Sequence, residues 1–184
     1  MNGLLEAEIW TIARTEEGNV VFLKPLKGEE IIPIFIGPLE AQSIIVAIEN
    51  YQVERPLTHD LLLNLADKAG FIFMRAEIYD IKEDVFYARL LFSAPMSTQP
   101  IVLDARPSDA LALALRRKCP VFVSPLVLEK AGSPMDSVMG GKIESPLTLL
   151  RHELEEALVA EDYEKAASIR DKISLLDKDQ GKMV

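Results

Sequence analysis

The chain has 184 residues, of which 49% are hydrophobic and 27% are charged, which suffices for one sizeable core. Its net charge of −9 argues against a non-specific nucleic-acid binder, which must neutralise many phosphates, but leaves room for an enzyme that holds one phosphodiester locally. No apolar run reaches the roughly 18 residues of a membrane span, the N-terminus lacks the pattern of a signal peptide, and Cys119 is the only cysteine, so we expect a cytoplasmic protein without membrane contact.

The first part of the chain is predicted to form three strands followed by two helices. The predicted strands are Leu4–Arg14, Val20–Leu26 and Ile31–Ile36. Pro38 suits the first turn of a helix that runs to about Asn50. A second helix is predicted over Asp60–Ala69, because Gly70 is a good residue to follow a helix end.

The next part mixes strands and helices without strict alternation. The predicted strands are Phe71–Ile81, Val85–Phe92, Ile101–Ala105 and Val121–Val123. The predicted helices are Asp109–Lys118, with Ser108 as its N-cap, and Pro125–Ala131. This order predicts an α+β fold, a mixed β-sheet with packed helices.

The composition changes after residue 131. Residues 132–146 are rich in Gly, Ser and Pro, which is typical of a linker. Residues 147–178 carry leucines and isoleucines at helical spacing and predict a small C-terminal αα-hairpin. We therefore divide the chain into a domain of residues 1–131, a linker and a hairpin. So small a hairpin must be covered by other surface, and with an apolar first helix this predicts a homodimer.

Two similar blocks stand out, Arg55-Pro56-Leu57-Thr58-His59-Asp60 and Asp104-Ala105-Arg106-Pro107-Ser108-Asp109-Ala110. Each pairs Arg-Pro with a small hydroxyl residue and an Asp, and each opens a helical run. Because helix N-termini attract anions, a protein that binds or cuts phosphodiesters would suit this layout. The same residues also serve as ordinary helix caps.

The main domain resembles the bifunctional nuclease domain. Besides the two blocks, the resemblance rests on Ile36-Gly37 with Glu40-Ala41, Phe86-Tyr87-Ala88-Arg89-Leu90, and Pro120-Val121-Phe122-Val123. It implies a nuclease that acts on DNA and RNA. The tail resembles the UvrB/UvrC motif, a protein-docking hairpin, which implies a protein partner. The positions that carry this second resemblance are Leu154, Tyr163, Ala166, Ala167, Ile169 and Arg170.

Acidic residues and one histidine are the candidates for the chemistry. An imidazole can move a proton near neutral pH, so His59 is the predicted general acid or base. Asp104 ends a strand, where a carboxylate can hold Mg²⁺ or Mn²⁺ together with Glu40 or Asp109. Asp60 and Asp109 complete the predicted catalytic set, although complementing the helix dipole is an equally simple role.

Arginines are the candidates for binding substrate phosphate. The candidates are Arg55, Arg89 and Arg106. Each can bind phosphate through two parallel hydrogen bonds, or can form an ion pair with a nearby carboxylate. The run Arg116-Arg117-Lys118 is predicted to be a solvated helix end. Two hypotheses follow. The domain is either a metal-assisted nuclease, or a non-enzymatic adaptor or small-anion-binding protein recruited through its hairpin.

Overall fold

The computed structural model describes residues 3–15, 18–51, 53–95 and 97–135, together with residues 154, 167, 169 and 170. The strands are β1 (Leu5–Thr15), β2 (Gly18–Pro25), β3 (Glu30–Ile36), β4 (Ile72–Lys82), β5 (Val85–Ala94), β6 (Ser97–Ala105), β7 (Val121–Val123) and β8 (Ser133–Pro134). The helices are α1 (Pro38–Ile48), α2 (Thr58–Lys68), α3 (Pro107–Arg117) and α4 (Pro125–Ala131). The predicted α+β class is confirmed.

In this part of the chain the eight strands form one mixed sheet in the order β6-β5-β4-β7-β1-β2-β3-β8. Strands β1 to β3 form one antiparallel meander, and β4 to β6 form a second. The short strand β7 joins them, since it pairs parallel to β4 and antiparallel to β1. The joint therefore brings elements from both halves of the chain to one sheet.

The main core lies between the sheet and the four helices. Alternate residues of a strand point to opposite faces, and in β2 Val21 and Leu23 enter this core. Their neighbours Val20 and Phe22 instead join a smaller cluster on the other face, with Trp10 packed against it. Helix α3 is buried along most of its length, so its start is fixed firmly relative to the sheet.

Helices α1 and α3 begin in the same way, with a proline in the first helical position after an extended residue. Gly37 and Arg106 are the respective N-caps, and neither helix has a side-chain cap. The prediction that Ser108 caps α3 is wrong: the helix begins at Pro107, because proline suits the first helical position, and Ser108 lies buried inside the first turn.

Strand pairing adds two further differences from the predicted elements. Strand β6 begins at Ser97 instead of Ile101, because it pairs with β5 from Ala94 onwards. Ser133 and Pro134, which fall in the predicted linker, pair with β3 as β8. Among the described residues, no helix is both long and apolar enough to cross a membrane.

Candidate functional site

The starts of three helices each carry an acidic residue in the third helical position. These residues are Glu40 in α1, Asp60 in α2 and Asp109 in α3. A carboxylate there complements the positive end of the helix dipole. The three helices pack together through α3, so the first-turn side chains of α1, α2 and α3 meet one another.

Arg106 joins the starts of α1 and α3. Its Nε and Nη2 donate to the two carboxylate oxygens of Asp109 at 2.8 and 3.1 Å, and its Nη1 donates to Oε1 of Glu40 at 2.7 Å. A guanidinium has five N–H donors, so two remain after these three bonds. Because the Arg106 side chain is 64% exposed, the remaining donors are available to an incoming anion.

His59 joins the starts of α2 and α3 and also contacts α1. Its Nε2 lies 3.3 Å from Oδ1 of Asp109, and its Nδ1 lies 3.0 Å from Oγ of Ser43. A carboxylate only accepts hydrogen bonds, so the Nε2–H donates to Asp109. In the neutral imidazole Nδ1 is then the acceptor, and the Ser43 hydroxyl donates to it. Ser43, a serine inside a helix, was not singled out in the sequence.

The electrostatics of this cluster keep Asp109 ionised. Partial burial of Asp109 would by itself raise the pKa of its carboxyl, but the hydrogen bonds and charge of Arg106 outweigh it, with a smaller contribution from His59, and the pKa is lowered. The same contacts raise the pKa of Arg106, first through Asp109 and then through Glu40. Arg106 therefore stays charged and paired.

Asp60 is held by Arg116 of α3 instead of by His59. One carboxylate oxygen accepts from Arg116 Nε at 3.0 Å, and the other accepts from the backbone N–H of Leu57 at 2.8 Å. The prediction that Arg116 is solvated is wrong: its side chain is only 8% exposed, because α1 and α2 cover it, and its Nη1 donates to the backbone oxygens of Ser43 and Ala112. Through its bonds to Asp60 and Ser43, Arg116 connects α3 to both α2 and α1.

Asp104 and Arg89 lie away from this cluster. They are direct partners across β5 and β6 and face the same side of the sheet. The neighbouring pair Ala88 and Ala105 packs against the helix-side core, so Asp104 and Arg89 face the opposite side. There Arg89 Nε donates to Oε2 of the buried Glu77 at 2.6 Å.

The remaining predicted residues fall into two groups. Arg55 precedes α2, is exposed, and forms no hydrogen bond or ion pair with the described part of the chain. In the tail, Leu154, Ala167, Ile169 and Arg170 are helical, and Ile169 is 3% exposed. Tyr163 and Ala166 lie outside the described residues, and the docking role of the tail stays a prediction.

The structure does not bring the three predicted metal ligands together. Glu40 and Asp109 meet at Arg106, whereas Asp104 faces the other side of the sheet. Over the described ranges, no group of three or more His, Cys, Asp and Glu side chains is placed to hold a metal ion. Two carboxylates with one imidazole and one guanidinium favour proton transfer and anion binding.

Comparisons with known proteins identify the family of each part of the chain. The family model of the bifunctional nuclease domain matches residues 21–136, and that of the UvrB/UvrC motif matches residues 144–179. An uncharacterized protein of Mycobacterium tuberculosis is 38% identical over 121 residues, which are 66% of this chain and 71% of that protein.

Plant relatives are more distant. Bifunctional nuclease 2 of Oryza sativa subsp. japonica is 27% identical over 189 residues, covering 90% of this chain and 55% of that protein. Bifunctional nuclease 1 of Arabidopsis thaliana is 26% identical over 117 residues, 63% of this chain and 35% of that protein. The match of the domain model to more than half of the sequence decides the family. The chain belongs to the bifunctional nuclease domain family and carries a UvrB/UvrC motif at its C-terminus.

Proposed function

We propose that the chain hydrolyses phosphodiester bonds of DNA or RNA at the cluster formed by Glu40, Ser43, His59, Arg106 and Asp109. One observation carries the proposal: His59 and Asp109, which are 50 residues apart, are in hydrogen-bond contact beside an exposed arginine that has unused donors. Hydrolysis of a phosphodiester is accelerated by a group that transfers a proton and by a cation that stabilises the negative charge of the transition state.

The proposed reaction uses groups whose contacts are known. The scissile phosphate binds the two outer N–H groups of Arg106. When His59 is neutral, the Ser43 hydroxyl donates to its Nδ1, so Ser43 passes that proton on as it takes one from the attacking water. The water oxygen forms a bond to phosphorus, the bond to the leaving oxygen breaks, and that oxygen takes a proton from solvent, to which the imidazolium later gives up the proton it gained. Asp109 holds the imidazole and stabilises its charged form.

A requirement for Mg²⁺ or Mn²⁺ is a separate part of the proposal, and no step above is routed through a metal. Its support is the local charge: Glu40 and Asp109 against Arg106 leave one negative charge, which a divalent cation would offset. Cleavage measured with EDTA and then with each metal restored tests this part. Full activity in EDTA would remove the metal from the proposal.

The deciding experiment is a nuclease assay on highly purified protein with single-stranded DNA and RNA. We expect His59→Ala to lower the cleavage rate by at least about 100-fold, the lower end of what a general acid or base contributes. His152→Ala, which removes the other histidine, is the matched control and should cleave normally. Equal residual cleavage by all three proteins would point to a contaminating nuclease.

One observation favours a second function, a non-enzymatic adaptor that docks through the UvrB/UvrC motif. Glu40, Asp60 and Asp109 are all ion-paired, as purely structural charges would be. In that case the purified protein should show no cleavage, while deletion of residues 147–178 should abolish binding to its protein partner.

A further inference from the structure

One face of the sheet carries no helix in the described part of the chain. All four helices pack against the other face, where Ala76, Ile78, Ala88 and Leu90 enter the main core. The helix-free side of β4, β5 and β7, which we call the outer face, carries charged and aromatic side chains instead. These are Arg75, Glu77, Tyr79, Tyr87, Arg89 and Phe122.

Two arginines of the outer face share one buried carboxylate. Glu77 is only 1% exposed. Its Oε1 accepts from Nε of Arg75 at 2.7 Å, and its Oε2 accepts from Nε of Arg89 at 2.6 Å. Two cations against one anion leave a net positive charge here, on a chain whose overall charge is −9. The pair of arginines can therefore bind a further anion.

Both arginines keep hydrogen-bond donors that a ligand can reach. Each bonds the described part of the chain through Nε alone, and their side chains are 26% and 40% exposed. The guanidinium carbon of Arg75 lies 5.8 Å from the centre of the Phe122 ring, and that of Arg89 lies 4.9 Å from the centre of the Tyr79 ring. Guanidinium groups held in this way lose little entropy when they bind a phosphate through paired hydrogen bonds.

Two tyrosine rings lie next to the arginines. In its pairing with β5, strand β4 has an extra residue between Ile78 and Asp80, and such bulges redirect side chains. The rings of Tyr79 and Tyr87 are 6.4 Å apart between centres, and both residues are partly exposed. Nζ of Lys82, which pairs with Asp80, lies 5.2 Å from the centre of the Tyr87 ring. The outer face thus places aromatic rings and cations side by side.

A carboxylate limits the extent of the cationic area. Asp104 lies beside Arg89 on the outer face, and it is on the side away from Arg75 because β5 separates β6 from β4. A phosphate is therefore favoured between the two arginines and repelled beyond Arg89. This geometry suits a short, local contact with a polyanion, which is also what the acidic overall charge allows.

We propose that the outer face binds a short single strand of nucleic acid, with a backbone phosphate on Arg75 and Arg89 and a base stacked on Tyr79 or Tyr87. Proteins that bind single strands combine cations for the backbone with aromatic rings for the bases. An acidic peptide would satisfy the arginines and leave the rings without a stacking partner. The inference concerns binding, so it goes beyond the hydrolysis proposed on the helix side of the sheet and does not depend on it.

The first test measures fluorescence anisotropy of a labelled single strand of about 12 nucleotides, within the site sizes of such proteins, and of a duplex of the same length. The full chain carries His59→Ala and the buffer contains EDTA, so that binding is measured without cleavage. We expect tighter binding of the single strand, because the bases of a duplex are already stacked on one another. Tyr79→Leu should weaken single-strand binding by roughly tenfold, as expected for one lost base–aromatic stack, whereas Tyr79→Phe should retain it.

A second ring variant is needed because Tyr79 also supports the guanidinium of Arg89. Tyr87 lies next to Tyr79 and contacts Lys82 instead of an arginine. Tyr87→Leu should therefore weaken single-strand binding while both arginines keep their supports. Unchanged binding in both leucine variants would overturn the proposal.

The dependence of binding on salt tests the arginines. Arg75→Gln and Arg89→Gln each leave Glu77 paired with the other arginine, so no buried charge loses its only partner. Each variant should make the plot of log K against log salt concentration less steep by about 0.7, the value for one phosphate contact of a single strand. Arg117→Gln is the matched control, since Arg117 pairs with Asp67 on the helix side. Unchanged slopes in both outer-face variants would overturn the phosphate contact.

Competition with poly-L-glutamate separates a nucleic-acid site from a site for an acidic protein. We expect poly-L-glutamate to displace the labelled strand far less well than an unlabelled strand does. Equal displacement by the two competitors would contradict the proposal and indicate an acidic peptide as the occupant. Cleavage by the unaltered protein without Tyr79-dependent binding would contradict this inference and leave the nuclease intact. Tyr79-dependent binding without any cleavage would support the outer face and contradict the nuclease.

Discussion

At the scale of single residues, Gly37 leaves room for the Glu40 side chain, and its backbone conformation does not require a glycine. Its φ of −72° is open to any residue, but a Cβ at this position would overlap Oε2 of Glu40. The missing side chain thus lets the Glu40 carboxylate fold back over the start of α1. In that position its other oxygen reaches Arg106.

We predict that Gly37→Ala lowers the cleavage rate by about tenfold, equivalent to about 1.4 kcal/mol, because the displaced Glu40 no longer orients Arg106. The free energy of unfolding should fall by about 0.5–1 kcal/mol, because glycine is preferred to alanine at an N-cap. Cleavage rates of Glu40→Ala and of the variant that carries both substitutions complete a double-mutant cycle. If the double variant cleaves much more slowly than Glu40→Ala alone, Gly37 does not act through Glu40.

The lowered pKa of Asp109 should make the free energy of unfolding depend on pH. Its pKa is lower in the folded than in the unfolded protein, so its ionised form stabilises the fold above the unfolded pKa of about 4. This contribution is lost as the pH falls through the lower, folded value. Urea unfolding of the unaltered protein and of Asp109→Asn should therefore differ by about 1 kcal/mol at pH 7, the upper range for an exposed ion pair, and converge toward pH 2. A constant difference across this range would contradict the assignment.

At the scale of elements, helix α2 depends on α3 for its position. Asp60 closes the first turn of α2 through Leu57 and binds the nearly buried Arg116. Removal of its charge would leave a buried guanidinium without its counter-ion.

We predict that Asp60→Asn lowers the free energy of unfolding by about 2 kcal/mol, as expected when a buried charged donor loses its partner. Asp67→Asn is the matched control in the same helix. Asp67 pairs with Arg117 at an exposed position, so its loss should cost less than about 1 kcal/mol. Equal losses in the two variants, measured by chemical denaturation, would show that Arg116 does not need Asp60.

Local patterns in the sequence were sufficient for part of the helix starts. Pro38 lies in the first turn of α1, and Asp60 and Asp109 lie in the first turns of α2 and α3, as predicted, whereas α2 and α3 each begin two residues earlier than predicted. These features depend on a few neighbouring residues, and such local preferences survive in the folded chain.

Features that depend on the packing of distant elements could not be predicted. Asp104 looked like a metal ligand because it lies at the end of a strand. The side of the sheet that it faces depends on the register of β6 against β5, and the sequence does not reveal that register. Arg116 looked solvated because it lies in a basic run, and only the packing of α1 and α2 buries it. Ser43 gave no signal at all, since a single hydroxyl inside a helix is common.

At the scale of the whole molecule, one helix leaves large apolar side chains uncovered. In α2, Leu61 is 55% and Leu65 is 67% exposed, and Leu62 and the N-cap residue Leu57 are also exposed. A contiguous exposed apolar patch marks an interaction surface. We assign this face to the predicted homodimer.

We predict that light scattering at micromolar concentration gives about twice the chain mass of 20.5 kDa. Replacing both Leu61 and Leu65 by Glu should give the monomer mass, because a two-fold interface brings each introduced charge close to its own copy. Leu26→Glu, at another exposed leucine, is the control and should stay dimeric. A dimer that survives the double replacement would place the interface elsewhere.

The three residues of β7 also set the order in which the molecule can assemble. Each three-stranded meander closes through neighbours in the chain, whereas β7 follows both and inserts between them. Ser43 and Glu40 belong to the helix after the first meander, and Arg106 and Asp109 to the helix after the second, 66 residues further on. Long-range pairings of this kind form late, since their loops cost the most entropy to close. In refolding, the circular-dichroism signal of the β-sheet should therefore return before nuclease activity does. A chain in which β7 has not yet paired would have both meanders folded and would still be inactive.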